Sequence, residues 1–473
     1  MKRLLLVMLT VLALFQLACY KDKGNYDYSP VVAPTITNLD TLYNIAIGDT
    51  LVVKPTVTST DPKARYSYTW RLGNPKKLWD TTLTGSTFKY VFNLDPDIYP
   101  VRLTITDSSN GMKYFRDFNV RGTTEFTAGT VVLSLVNNVT QLCFVKPDKT
   151  IMPDIYKALH GVDLPGKPTQ VINLVKQQVS PVPTLGYWII CKGTDDGGVH
   201  LSTNTLLQYQ TLRSDFFDQP AAARVGHVDG TENGVLRGVI NGKLYEGAWQ
   251  TYYYGDTYGF FGAPANGDYT LYDRVVGNVP LMLGYDTQHK QFAAFTNFGG
   301  PAYLGSNYQV TSTTAFDPKN ISLDLQFLNL SSTVNCYAIN KAADGTLYEL
   351  GMQMMYMGFV QMTPLYYRPF PQPSLITANT KWAGTTTNGD IIYFTSGDKI
   401  YSYTPSNQQY FPLNLSLGGK TITMLKLINN DNTLVVGVDG SVYWYDITNG
   451  ILGNLIKKID GIPGSPIDVD ERD

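Results

Sequence analysis

The chain has 473 residues and a formal net charge of −2, with 43% hydrophobic, 16% charged and 12% aromatic residues. This near-neutral balance, without a basic run, argues against a nucleic-acid partner. The 33 tyrosines and 42 glycines favour a β-rich protein, with tyrosine on pleated surfaces and glycine in turns, and the length favours more than one domain.

Residues 1–18 have the layout of a secretory signal peptide. Lys2 and Arg3 precede the apolar run Leu4–Phe15, which is shorter than the roughly 20 residues of a membrane-spanning helix. Ala18 is then followed by Cys19, a junction that resembles the bacterial lipobox, in which cleavage before the cysteine exposes it for attachment of diacylglycerol. We therefore predict lipidation at Cys19. The alternative is an ordinary signal peptide with an incidental cysteine.

Residues 19–33 are predicted to form a polar tether, and residues 34–122 a small antiparallel β-sandwich. Alternating segments such as TLVVKPTV, RYSYTWRLG and KYFRDFNV, bounded by Gly, Pro, Asn and Asp, are typical of its strands. Trp70 is expected to fill the space between two sheets. Asp107 and Asn110 are expected to shape the last turn, with a calcium site as the alternative.

Residues 123–473 contain one pattern seven times: an apolar strand, a tight turn that often contains Asp-Gly or Asn-Gly, and a second strand. The equivalent residues just after the turn lie 42 to 57 positions apart and are Cys143, His200, Tyr245, Phe292, Tyr348, Tyr401 and Tyr443. This period predicts a β-propeller of seven blades, or of eight if residues 262–279 supply another. The recurring residues are interpreted as packed between blades, and His200 as a core-edge residue instead of a ligand.

No catalytic, metal-binding or cofactor motif is present. The four histidines lack the i, i+4 spacing of a zinc helix, and phosphate-binding loops and a Gly-x-Ser-x-Gly elbow are missing. Cys143, Cys191 and Cys336 lie in separate apolar contexts, which predicts buried thiols and neither disulfides nor a metal cluster. The run GTDDGG, Gly193–Gly198, is interpreted as a hairpin turn, with a cation site as the alternative. Two carboxylates could still meet in space, as glycosidases require.

Two clusters of large side chains do not fit a regular strand. The first lies within Trp249–Pro264 and consists of Tyr252, Tyr253, Tyr254, Tyr258, Phe260 and Phe261. It predicts either a long loop whose rings bind a peptide or a sugar, or a hairpin with aromatic cross-strand pairs. The second, Met352–Pro373, is rich in methionine. It is either core filling or, if exposed, a protein-contact patch.

The segment CYKDKGNYDY, Cys19–Tyr28, is followed by YTWRLG, YPVRLTITDSSNG and a long β-rich body. This layout resembles the PKD-like family of surface lipoproteins from Bacteroidetes. The resemblance implies an outer-membrane protein that faces the cell exterior and is held to the membrane by its lipid anchor alone. It also implies a role beside a SusC-type TonB-dependent transporter and a SusD-type lipoprotein.

The predicted function is non-catalytic capture or hand-over of a nutrient, with an oligopeptide favoured over a glycan. The alternative is a propeller hydrolase or lyase that acts on glycan or peptide at the cell surface.

Overall fold

The computed structural model describes residues 32–74, 79–174, 186–250, 257–278, 280–298, 300–331, 334–387, 389–448 and 453–472. The chain divides into two compact units, with the boundary in the sequence between Thr123 and Thr124. The helical pieces among these residues are α1, Ile155–His160, and two 3-10 turns, Leu212–Ser214 and Pro373–Leu375. None of them is long and apolar enough to cross a bilayer. Cys19 and the predicted leader lie outside the described residues.

The first unit is an antiparallel β-sandwich. Its strands are β1 (Thr35–Thr37), β2 (Leu42–Ala46), β3 (Thr50–Val53), β4 (Thr56–Thr58), β5 (Tyr66–Asn74), β6 (Trp79–Thr84), β7 (Phe88–Val91), β8 (Ile98–Asp107) and β9 (Lys113–Thr123). The larger sheet has the order β2-β9-β8-β5-β6, with β2 parallel to β9 and the other pairs antiparallel. Strand β3 pairs with β7, and β1 with β4.

Trp70 has the role predicted from its place in a strand. Its fully buried ring lies 5.6 Å from the ring of Phe88, on β7, and 6.2 Å from that of Phe118, so it joins the two sheets. Its Nε1 donates a hydrogen bond to the Gly85 carbonyl at 2.8 Å, which satisfies the indole inside an apolar core.

The turn between β8 and β9 is held by Asp107 and Asn110, as predicted. Oδ1 of Asp107 accepts hydrogen bonds from the backbone and hydroxyl of Ser109 at 2.9 and 2.7 Å, and Asn110 accepts one from the Met112 amide. The Ser109 hydrogen bonds lower the pKa of Asp107.

The second unit contains seven sheets among its described residues, which we call blades 1 to 7. In sheet order, blade 1 is β37 (Ser465–Arg472), β10 (Gly129–Val136), β11 (Val139–Val145) and β12 (Ile151–Met152); blade 2 is β13 (Pro168–Leu174), β14 (Gly186–Cys191), β15 (Gly198–Ser202) and β16 (Gln208–Thr211); blade 3 is β17 (Val225–Gly230), β18 (Leu236–Ile240) and β19 (Lys243–Glu246).

Blade 4 is β20 (Val276–Asn278), β21 (Leu281–Asp286), β22 (Gln291–Asn297) and β23 (Pro301–Gly305); blade 5 is β25 (Asp324–Ser331), β26 (Asn335–Lys341), β27 (Leu347–Tyr356) and β28 (Val360–Pro369), extended by β24 (Gln309–Val310); blade 6 is β29 (Trp382–Gly384), β30 (Ile392–Ser396), β31 (Lys399–Thr404) and β32 (Gln409–Pro412); blade 7 is β33 (Ile422–Ile428), β34 (Thr433–Val438), β35 (Ser441–Asp446) and β36 (Asn454–Asp460).

The seven sheets form a closed ring. Strand β14 is buried along its whole length, and its residues alternate between two cores: Tyr187 and Ile189 pack with blade 1, whereas Trp188 and Ile190 pack with blade 3. Each of seven apolar clusters joins two successive blades in this way, and the last joins blade 7 to blade 1. The predicted seven-bladed propeller is therefore confirmed.

The ring is closed by the end of the chain, because β37 pairs antiparallel with β10 inside blade 1. Residues 262–278 supply only β20 of blade 4, so the described part of this stretch forms no eighth blade. All seven equivalent residues of the repeat lie on the third strand of their blades. The two-residue turn before Cys143 consists of Asn137 and Asn138. Both have positive φ, 50° and 64°, as a two-residue hairpin loop requires.

One fully buried carboxylate joins two blades. Glu349, on β27, accepts hydrogen bonds from Tyr403 of blade 6 at 2.6 Å, from Tyr366 at 2.9 Å and from Arg368 at 3.1 Å. Its charge is paired and its oxygens are satisfied, so burial is tolerated.

Candidate functional site

A cavity of about 780 Å³ lies along the propeller axis. It is lined by residues of the first strands of blades 1, 2, 3, 5, 6 and 7 and by Arg274, two residues before β20. These strands pair on one side only, so their free edges face the axis. The unpaired N–H and C=O groups of these edges need hydrogen-bond partners, which polar side chains can supply. We call this volume the axial cavity.

Two aspartates of β37 satisfy the free edge of β13. Oδ2 of Asp468 accepts a hydrogen bond from the Val171 amide at 2.9 Å, and Oδ2 of Asp470 accepts one from the Asn173 amide at 3.2 Å. The two-residue spacing places both carboxylates on the same side of β37. They therefore tie the closing strand to blade 2.

Lys426, on β33, neutralises part of this acidic group. Its Nζ donates to Asp468 Oδ1 at 3.0 Å and to the Val469 carbonyl at 2.8 Å. Burial alone would lower the pKa of Lys426, but the charges of Asp468, Asp470 and Asp229 outweigh burial and raise it. Lys426 is consequently charged at neutral pH and already engaged.

A second charged group lies on the blade 3 side of the axial cavity. Nε2 of His227 lies 3.1 Å from Oδ1 of Asp229, and Oδ2 of Asp229 has no hydrogen-bond donor among the described residues. Partial desolvation by the surrounding strands raises the pKa of Asp229, whose side chain is still 55% exposed, but the His227 hydrogen bond and the charges of His227, Arg274 and Arg237 lower it to about 2. Asp229 is therefore ionised over the physiological range.

Arg274 is a cation without a partner in the described part of the chain. Its Nε is buried and makes no hydrogen bond, and no described carboxylate lies within ion-pairing distance. Buried donors are normally satisfied, and leaving one unsatisfied costs about 1–3 kcal/mol. Arg274 is thus the group of the axial cavity that most clearly lacks a bonding partner.

The opposite wall is aromatic. Trp382, the first residue of β29, stacks on Phe327 of β25 with ring centroids 5.3 Å apart and an angle of 16°. Leu425 adds an aliphatic surface to the same cavity. The axial cavity thus combines charges of both signs with apolar lining from Trp382 and Leu425, while Phe327, 6% exposed, belongs mainly to the core between blades 5 and 6.

The sandwich has a groove of a different kind, with a volume of about 420 Å³. Its four charged residues form two pairs on the face of the larger sheet: Arg71 with Asp80, and Arg102 with Asp117 at 2.7 and 2.9 Å. Since each cation already has a carboxylate, this groove has no unfilled bonding capacity comparable to that of Arg274.

The predicted aromatic site is only partly described, because Tyr252, Tyr253 and Tyr254 lie outside the described residues. Tyr258 and Phe261 are buried: Tyr258 donates to the Asn233 carbonyl at 2.5 Å, and Phe261 packs on Phe216 with centroids 4.9 Å apart. The half-buried Phe260 packs on Phe217. The described flanks of the segment pair with each other: the Ala248 amide donates to the Phe260 carbonyl at 2.8 Å, and Gly247 forms an antiparallel bridge with Phe261, which agrees with the hairpin alternative. Two of the three described rings belong to the core.

The methionine-rich segment divides between core and surface. Met352, Met354 and Met362 are buried between blades 4 and 5. At the turn between β27 and β28, Tyr356, Met357 and Phe359 are exposed, and the exposed Phe298 packs on Tyr356 with centroids 5.4 Å apart. These four residues form an apolar surface that we call the hairpin tip.

The remaining sequence candidates have structural roles. Gly193–Gly198 forms the β14–β15 turn, where Asp196 accepts from Arg213 at 2.7 Å. His200 stacks on Trp188 with centroids 4.4 Å apart, and burial lowers its pKa to about 4. The described cysteines, Cys143, Cys191 and Cys336, are buried free thiols, as predicted. No cluster of metal-ligating side chains occurs within the described ranges.

The residues of the axial cavity were missed by the sequence reasoning. Arg274, Asp229 and Trp382 come from three different blades, and no local motif links them. One signal was available: in PIDVDER, acidic side chains alternate along the last strand, so both carboxylates had to share a face.

Comparison with known proteins gives a family match for the first third of the chain. The PKD-like family model matches residues 19–168, which include the sandwich and the first strands of the propeller unit. This confirms the resemblance at the level of a PKD-like domain. No curated protein matches the chain.

Solved structures resemble the chain at low identity. A quinonprotein alcohol dehydrogenase-like protein from Bacteroides thetaiotaomicron has a TM-score of 0.40 and 13% identity, covering 93% of this chain and 99% of its own. The dihydro-heme d1 dehydrogenase NirN has a TM-score of 0.38 and 12% identity, covering 78% of this chain and 72% of its own. The fold assignment rests on the sheet topology above.

Proposed function

We propose that the protein is a non-catalytic surface lipoprotein of the outer membrane that captures a nutrient and hands it to a SusC/SusD-type TonB-dependent transporter. The observation that carries this proposal is the axial cavity, with Arg274, which has no partner among the described residues, the ionised Asp229 and the ring of Trp382. An oligopeptide suits charges of both signs better than a neutral glycan does. The sequence layout around Cys19 supports the location.

A binding role fits the state of the acidic groups. Both oxygens of Asp468 and of Asp470 accept hydrogen bonds from backbone amides, and Asp468 also pairs with Lys426. Asp229 is ionised at neutral pH and cannot serve as a general acid there. Asp468 and Asp470 therefore hold strands in place, and Asp229 supplies a fixed negative charge to the cavity. Both roles suit a binding site.

The hairpin tip is the surface we assign to the transporter contact. It presents Tyr356, Met357, Phe359 and Phe298 to solvent, with Met357 63% and Phe298 66% exposed. Aromatic residues and methionine are enriched at the cores of protein interfaces.

A pull-down from native outer membranes tests the proposal. The wild-type protein is expected to recover a TonB-dependent transporter, identified by mass spectrometry, and the double variant Met357→Ser/Phe359→Ser about tenfold less of it. The matched control is Leu455→Ser/Ile456→Ser, which removes two similarly exposed apolar residues from β36 and is expected to recover the wild-type amount. Recovery of no such transporter by the wild type would refute the proposed partnership.

The anchor has its own test. Cys19→Ala is expected to move the protein from the membrane fraction to the soluble fraction, because the acyl chains supply about 0.8 kcal/mol per buried CH₂. Retention of the variant in the membrane would show that Cys19 is not the attachment point.

A propeller hydrolase or lyase is the second candidate, favoured by the gathering of Asp229, Asp468 and Asp470 near Lys426. Peptides and oligosaccharides incubated with the protein should remain intact under the binding proposal. Cleavage that is lost in Asp229→Asn would establish the catalytic alternative.

A further inference from the structure

We infer that the axial cavity is a recognition site for a short peptide in its zwitterionic form. Arg274 binds the ligand's carboxylate, Asp229 its ammonium group, and Trp382 an apolar side chain. The inference rests on the proposed function, of which it names the ligand class and the contacts.

Arg274 has no hydrogen-bonded carboxylate among the described residues. Two other largely buried arginines each face a glutamate: Arg368 lies 3.1 Å from Glu349, and Arg237 lies 3.8 Å from Glu246. Arg274 has no such carboxylate, and its buried Nε has no acceptor. A guanidinium presents five donors in a planar fork that matches a carboxylate, so a ligand carboxylate completes the site.

Asp229 provides the complementary charge. Oδ1 is engaged by His227, Oδ2 has no donor in the described part of the chain, and 55% of the side chain, which lines the cavity, is exposed. The positive charge of Arg274 lowers the pKa of Asp229, so the two groups are close enough to interact. They nevertheless form no ion pair, which leaves each available to one end of a dipolar ligand.

The other cations of the cavity compete poorly for the ligand carboxylate. Lys426 already donates to Asp468 and to a backbone carbonyl. Lys381 is exposed, and exposed pairs contribute little because water and salt screen them. Arg274 is therefore the expected carboxylate contact.

The size and the apolar lining of the axial cavity favour a short peptide over a ligand that carries only one charged group. A volume of about 780 Å³ lies within the usual range of small-molecule sites, about 300–1,000 Å³. The half-buried Trp382 and Leu425, which line the cavity, can contact an aromatic or aliphatic side chain of the ligand. An acidic oligosaccharide could pair with Arg274 but has no ammonium group for Asp229.

Calorimetric titration of the full-length protein in detergent tests this inference. The probes are the tripeptide Ala-Phe-Ala with free ends, its N-acetyl form, its C-terminal amide and trigalacturonate. We expect the free tripeptide to bind about tenfold or more tightly than either blocked form, since each blocking group removes one charge contact.

Variants assign each end of the ligand to its residue. In Arg274→Ala the free tripeptide and its amide should bind equally, and in Asp229→Asn the free and acetylated forms should bind equally. Arg274→Lys, which retains the charge without the fork, should show an intermediate loss. Arg102→Ala, in the sandwich groove, is the matched control and should bind as the wild type does.

Three results would overturn the inference. These are equal affinity for free and blocked tripeptides in the wild type, tighter binding of trigalacturonate than of the tripeptide, and no tripeptide binding up to about 1 mM. The transporter pull-down does not depend on these probes. Recovery of a transporter without peptide binding would therefore reject the ligand class and leave the proposed partnership intact.

Discussion

The sandwich and the propeller unit place their charges differently. In the sandwich, the pairs Arg71–Asp80 and Arg102–Asp117 lie at a solvent-exposed groove, and the interior around Trp70 is apolar. In the propeller unit, Glu349 is buried between two blades, and Asp229, Arg274 and Lys426 face the axial cavity.

The difference follows from how each architecture uses its sheet edges and faces. Two packed sheets fill their interior with side chains and leave no central space. A ring of blades also buries the faces of its sheets, but the inner edges meet around an axis that the side chains do not fill. The propeller unit therefore has an internal space for a ligand, whereas the sandwich has only a groove on its surface.

Removing β37 is the largest expected perturbation. A chain ended after Gly464 loses the first strand of blade 1 and the carboxylates that hold the Val171 and Asn173 amides. We expect the calorimetric transition of residues 124–464 to disappear while that of the sandwich persists. As a control, Leu455→Ser/Ile456→Ser, on the outermost strand of blade 7, should leave both transitions in place. An unchanged propeller transition in the truncated chain would contradict closure by β37.

Trp70→Ala tests the sandwich core. The side chain is fully buried between the sheets, so its loss should destabilise the sandwich by about 3–5 kcal/mol. The denaturant midpoint of the sandwich should fall accordingly. The propeller transition should be unaltered because the contacts of Trp70 lie within its own unit. The exposed substitution Phe115→Ala is the control and should change the free energy of unfolding by less than about 1 kcal/mol.

Asp215 shows the cost of burying a carboxyl group in the propeller. It is 4% exposed, and burial raises its pKa from 3.8 to about 7, against the hydrogen bond from Gln210. Below pH 4 both the folded and unfolded states hold the proton, so there is no penalty. Between pH 4 and 7 only the unfolded state ionises, so stability falls as the pH rises.

Asp215→Asn should remove this pH dependence. We expect the variant to match the wild type near pH 4 and to exceed it by up to about 4 kcal/mol at pH 8, because each pKa unit corresponds to about 1.36 kcal/mol. The exposed Asp218→Asn should show no such trend. A pH-independent difference between Asp215→Asn and the wild type would show that the carboxyl does not titrate as described.

The smallest effects on the free energy of unfolding are expected for two arginine substitutions. Arg102→Ala breaks an exposed pair with Asp117 and should cost no more than about 1 kcal/mol. Arg274→Ala removes a cation that has no described partner, so stability without ligand should be unchanged or slightly higher. A loss above about 2 kcal/mol for Arg274→Ala in thermal or denaturant unfolding would indicate a structural role instead of a binding role.

Local sequence patterns were sufficient for the fold. The period of the hairpin repeat placed Cys143, His200 and Tyr443 on equivalent strands, because each hairpin is specified by neighbouring residues. The axial cavity was not predictable in this way. Arg274, Asp229 and Trp382 are more than 40 residues apart and meet only after the ring closes. The burial of Tyr258 and Phe261 was not predictable for a related reason, since it depends on contacts with Asn233 and Phe216, which are distant in sequence.

The most direct test of the central claim is a crystal structure of the protein with bound Ala-Phe-Ala. The account predicts difference density in the axial cavity, with the ligand carboxylate on Arg274, its ammonium on Asp229 and the phenyl ring against Trp382. Density confined to the hairpin tip or to the sandwich groove, with the axial cavity holding solvent alone, would contradict it.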